Sequence, residues 1–173
     1  MKLPLKSLVL AALAALLVSS IAHAEDSLYD REHAAKLSPS VVADFGPRAS
    51  EFRYDPRMIR AAQIAAQRAK ANSTAQCWRY VKDALLSAEI VDSRPTTVYA
   101  KQAAGELTSK FGFTKLDVTN PFEAPVGSVL VYGGGGAGHI EFRTAFGFVS
   151  DFWSFTPSHR PLIGVFVKKS SES

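Results

Sequence analysis

Cys77 and a histidine 62 residues further on, His139, are the side chains of this sequence best suited to work together chemically. A thiol attacks a carbonyl as its thiolate, and the unperturbed thiol pKa of about 8.5 must fall before much thiolate exists at neutral pH. A helix N-terminus and a neighbouring imidazolium both lower it. Ser73 and Gln76 read S-x-x-Q, the pattern of a capping box, so a helix is expected to begin here. Cys77 then falls in the first turn, where unpaired N–H groups and about half a positive charge favour an anion. The chemistry implied is two-step acyl transfer: thiolate attack on an amide carbonyl, then release of the acyl group to water.

The base is selected by context. Past residue 24 the chain holds His33, His139 and His159. His33 lies in an irregular charged stretch and His159 between Pro157 and Pro161. Only His139 opens a strand, directly after the glycine-rich residues 133–138, and glycine permits another backbone to approach closely. The second ring nitrogen then needs an acceptor to hold the tautomer. Two acids compete. Glu141 shares a strand face with His139. Asp151 falls directly opposite His139 if strands 139–144 and 148–152 form a hairpin turning about Ala145, and cross-strand partners lie roughly 5 Å apart at Cβ. That register selects Asp151 as the third catalytic residue, and a one-residue slip would reverse the face. The Cys77 N–H is one expected oxyanion donor. The second falls to the side chain of Gln76 or Asn72. Trp153, with Phe152 and Phe155, is a candidate substrate wall or simply core.

Other chemistries find little support. The glycine run lacks the G-K-[ST] ending of a phosphate loop. A lone cysteine cannot build a structural zinc site, and no pair of histidines has ligand spacing, so no metal is expected.

These residues need elements to hold them. Asp55-Pro56 is a helix start, followed by Met58, Ala62, Ala65 and Ala69 at helical spacing. Residues 72–74 break that helix. The second places Cys77, Val81, Ala84, Leu85 and Ala88 on one face and ends near Glu89. A third is expected from Pro95 and Thr97 through Leu107. Residues 111–113 and Asn120-Pro121 read as linker. The period then changes, giving strands over 128–132, 139–144, 148–152 and 162–168. Helices followed by closely connected strands indicate an α+β domain with an antiparallel sheet.

Lys2 and Lys6, an apolar run over 8–21 and Ala22-His23-Ala24 have the order of a secretory leader, with cleavage expected before Glu25. The apolar run falls short of the roughly 20 residues a membrane span needs, so no stable anchor is expected after cleavage. Residues 25–54 read as an extension and 55–173 as the hydrolase domain. The whole chain carries +4, but without the two leader lysines 18 basic residues face 16 acidic ones, leaving +2. That charge does not argue for nucleic acid. An exported chain using cysteine structurally usually carries an even number, which makes the single Cys77 more notable.

Gln76-Cys77-Trp78-Arg79-Tyr80-Val81 resembles the Q-C-x-x-Y-V signature of CHAP domains, the cysteine, histidine-dependent amidohydrolases/peptidases. Gly127-Ser128-Val129 followed by Gly138-His139-Ile140 is similar to their G-[AS]-[IV] and G-H-[VI] segments. Val149-Ser150-Asp151 is similar to the strand where that family carries its third polar residue, often Glu or Asn. The NlpC-type peptidases share the order of cysteine helix and histidine strand. The resemblance covers roughly residues 72–168. It implies a papain-like fold, no cofactor and the amide bonds of bacterial peptidoglycan as substrate, and the leader pattern adds a periplasmic or secreted setting. The alternatives are a thiol acyltransferase, or a non-catalytic exported wall-binding or inhibitor protein on the same fold. The oligomeric state is not legible.

Overall fold

The computed structural model describes residues 53–170. The leader over 1–24 and nearly all of the extension lie outside the described residues. Tyr54, assigned above to the end of the extension, belongs with the domain: its side chain is buried and its hydroxyl donates to the Val126 carbonyl at 2.6 Å.

Helix α1 (Arg57–Arg68) begins where Asp55-Pro56 predicts, and the Asp55 carboxylate accepts the Arg57 amide at 2.9 Å. Its small buried face, Met58, Ile59, Ala61, Ala62 and Ala65, lets it settle closely on its neighbours. Gly127 meets it directly: a Cβ there would stand 2.7 Å from the Ile59 nitrogen. Helix α2 (Cys77–Ser87) packs on α1 and on the sheet through Trp78, Val81, Ala84 and Leu85. Each fully buried aliphatic side chain of this kind contributes about 1.5–3 kcal/mol.

The third helix starts later than expected. Pro95 to Tyr99 is a loop, followed by a 3-10 turn, Ala100–Gln102, and a short α3 (Ala103–Ser109). The cause is Glu106. Its buried carboxylate accepts the amides and hydroxyls of Thr96 and Thr97 at 2.6–3.0 Å, so those amides serve a side chain instead of a helix. Burial would raise the Glu106 carboxyl, but these four bonds bring it down to about 2.

Six antiparallel strands follow: β1 (Phe113–Leu116), β2 (Val129–Tyr132), β3 (His139–Thr144), β4 (Gly147–Val149), β5 (Trp153–Ser154) and β6 (Leu162–Lys168), in the order β1-β6-β2-β3-β4-β5. Helices packed on this sheet make the α+β fold expected. The stretch read as linker supplies β1 at one edge, pairing with β6. The strand expected over 148–152 stops at Val149. Beyond it the chain turns away, with the Ser150 amide on the Phe152 carbonyl and the Asp151 carbonyl accepting from the Lys70 amide at 2.8 Å.

Candidate active site

The helix that carries Cys77 begins at that residue, but not by a capping box. Gln76 is itself the N-cap residue and makes no side-chain cap, while Ala75 before it is left-handed at φ 59°. The loop is held by a residue far along the chain. Asp151 Oδ2 accepts the Thr74 amide at 2.6 Å, the Thr74 hydroxyl at 2.9 Å and the Gln76 amide at 3.2 Å, and Oδ1 accepts the Ser150 hydroxyl at 3.1 Å. Burial would raise this carboxyl, but the amide and hydroxyl donors hold it below the usual carboxylate range. The first intrahelical bond runs from the Tyr80 amide to the Gln76 carbonyl at 3.1 Å. The Cys77 N–H, one of the first amides of the helix, has no carbonyl within the helix to meet.

One loop braces both halves of the site. Trp78 Nε1, beside the cysteine, donates to the Thr97 carbonyl at 3.1 Å. A few residues on, the Lys101 amide donates to the Ala137 carbonyl at 3.0 Å. Gly138, at φ 76°, fits between that turn and β2: a Cβ would stand 2.5 Å from the Tyr132 carbonyl oxygen and 2.7 Å from Lys101 Cβ. Glycine before His139 therefore does admit a close approach, but of the 3-10 turn and not of the cysteine helix.

His139 interacts with both Cys77 and Glu141. Its Nε2 and Glu141 Oε2 are 3.1 Å apart. A carboxylate at Nε2 favours a proton on that nitrogen. Burial would push the imidazole down, but the Cys77 and Glu141 contacts more than reverse this and raise it to about 9. Glu141 is buried, and its other oxygen accepts from the Tyr132 hydroxyl at 2.7 Å and the Ser158 amide at 3.2 Å.

The acid behind the histidine is thus Glu141, and Asp151 is corrected to a clamp on the loop before Cys77. The hairpin register is the reason. Thr144 pairs with Gly147, Arg143 with Phe148 and Phe142 with Val149, so the chain turns over two residues, Ala145 and Phe146, instead of about Ala145 alone. That one-residue difference removes Asp151 from the position opposite His139. The contribution of Tyr132 was not read from the sequence at all; a tyrosine ending the strand before the glycine loop was the available signal.

The remaining candidates lie around this pair. Gln76 Oε1 accepts from Arg79 Nη1 at 3.0 Å, which leaves the NH2 end of its amide as donor. Asn72 is exposed in the preceding loop. Trp153 is half-buried on the edge strand β5, beyond β4 from the histidine strand, and its ring meets Phe155 edge-on at 4.1 Å. His159 is exposed. Among the described residues no cluster of His, Cys, Asp and Glu could hold a metal ion.

The two acids can be separated by experiment. An imidazole raised from about 6.5 to about 9 contributes stability that is full below the lower value and is lost as pH rises through the upper one. Glu141→Gln removes one of the raising contacts, so the His139 midpoint, followed by NMR, is expected to fall towards its ordinary value. Asp151→Asn is expected to leave that midpoint in place and lower thermal stability instead, since a buried charged acceptor loses bonds worth about 1.5–3 kcal/mol each. The opposite pattern would return Asp151 to the histidine.

A cysteine at a helix start, packed against an antiparallel sheet that delivers a histidine, defines the papain-like class of α+β fold. Among solved structures, the chain is similar to a chain of the type VI native effector-immunity complex Tae3-Tai3 from Ralstonia pickettii, at 22% identity and TM-score 0.52, over 65% of this chain and 98% of that one. A second similar chain comes from the selenomethionine form of the same complex, at 25% identity and TM-score 0.46, over 55% of this chain and 80% of that one. No protein-family model and no curated protein matches the sequence.

Proposed function

We propose that this chain is an exported cysteine hydrolase that cuts amide bonds of bacterial peptidoglycan through Cys77, His139 and Glu141. The observation that carries the proposal is the assembled row itself: thiol at a helix start, imidazole against it, buried carboxylate 3.1 Å behind. A structural cysteine has no need of that arrangement. In the proposed reaction the Cys77 thiolate attacks the amide carbonyl and His139 passes its proton to the leaving amine, giving a thioester. His139 then takes a proton from water, whose oxygen displaces the sulfur. The Cys77 N–H and the side-chain NH2 of Gln76 are the proposed donors to the oxyanion. The peptidoglycan substrate and the exported setting take their support from the resemblance to CHAP domains and from the leader pattern.

The test is digestion of purified sacculi by the chain beginning at Glu25, followed by mass spectrometry of the fragments. New fragments that each carry one added water across an amide, absent with Cys77→Ser, are expected. A thiol that alkylates rapidly at pH 6 while sacculi stay intact would sink the peptidoglycan substrate but keep the nucleophile. A thiol inert at that pH would instead indicate the binding protein. Products joined to an added amine would make the chain an acyltransferase.

A further inference from the structure

We infer that Tyr132 is a positioning residue, holding Glu141 from the neighbouring strand in the orientation that meets His139; the inference rests on the Cys77–His139–Glu141 reading above. A glutamate carboxylate on its own turns freely about its last torsion and can offer either oxygen anywhere. Here the two oxygens are assigned. Oε1 takes the Tyr132 hydroxyl at 2.7 Å and the Ser158 amide at 3.2 Å, and Oε2 faces His139 Nε2 at 3.1 Å.

The backbone aims Tyr132 for this task. It pairs with His139 across β2 and β3, so it lies diagonal to Glu141 on the same face. On the other side of β2, the register against β6 shifts between Val131 and Tyr132. Such an irregularity re-aims the side chain beside it. The tyrosine is fully buried, and its ring centroid lies 6.0 Å from that of His139. Burial, and then the charge of Glu141, raise its phenol far above the ordinary range, so it remains a proton donor at any working pH. The ionisable groups gathered here are Tyr132 from β2, His139 and Glu141 from β3 and Cys77 from α2; Asp151 is engaged with the loop over 73–76. A buried tyrosine hydroxyl needs an acceptor wherever it lies; here that acceptor is the carboxylate that meets the histidine.

Tyr132→Phe keeps the ring and removes the donor. Its kcat on wall fragments is expected to fall by about 10- to 100-fold, the factor for losing one hydrogen bond to a charged group, with KM unchanged. A buried carboxylate that loses a donor is easier to protonate, and a protonated Glu141 no longer supports the imidazolium. The acid limb of Cys77 alkylation is therefore expected to move to higher pH. In a Glu141→Gln background the same substitution should add no further loss. Wild-type kcat with an unmoved acid limb, or an equal loss in the Glu141→Gln background, would overturn the assignment. If Tyr132→Phe does not fold, 3-fluorotyrosine at 132 takes its place. Its more acidic phenol should move the acid limb to lower pH, and an unmoved limb overturns the inference. Alkylation needs no wall substrate, so intact sacculi with a moved limb would defeat the proposed substrate and leave the role of Tyr132 standing.

Discussion

Cys77→Ser is expected to bring release of peptide fragments from sacculi down to background, a loss of at least about 1,000-fold, since nucleophile replacements in enzymes of this logic reach about a million-fold. The helix start and the imidazolium act by stabilising an anion. A thiol of ordinary pKa about 8.5 is within reach of that stabilisation and an alcohol is not. The smaller oxygen suits the first helical position, and the loop before it is held by Asp151 through backbone amides and Thr74, none of which the substitution touches. Thermal unfolding should therefore stay close to that of the unaltered chain. Fragment release at an undiminished rate by Cys77→Ser would rule out this nucleophile and with it the acyl-enzyme.

His139→Ala is expected to lose activity on a similar scale. In the proposed mechanism thiol and imidazole act as a unit, so Cys77→Ser combined with His139→Ala should be little worse than either alone. The single substitution also removes the cation beside the sulfur, and alkylation of Cys77 near neutral pH should slow with it. His159→Ala is the control. It is exposed on the loop that brings the Ser158 amide to Glu141, and an alanine there keeps that amide. Its turnover is expected to remain within about twofold, as for surface substitutions away from named contacts. A collapse in His159→Ala with normal turnover in His139→Ala would identify the wrong histidine as base.

What the sequence determined by itself is what depends on neighbours in the chain. Asp55-Pro56 began a helix because the carboxylate meets an amide two residues on. A helix start close before Cys77, and a strand opening at His139 after glycine, were legible because breaks and changes of period are local properties, although the helix begins at Cys77 itself and not from a Ser73 cap. The α+β class followed from those periods.

Tertiary structure decided the identity of the acid and the way the helix start is held. Asp151 reaches Thr74 and Gln76 across more than seventy residues, and no spacing rule announces such a bond. Glu106 likewise took the amides of Thr96 and Thr97 and delayed the third helix. Glu141 displaced Asp151 behind the histidine because the hairpin turned over two residues instead of one. Side chains on a strand alternate faces with a period of two, so a one-residue change in a turn alters which residues can meet. That choice depends on the buried hydrogen bonds that the finished fold satisfies.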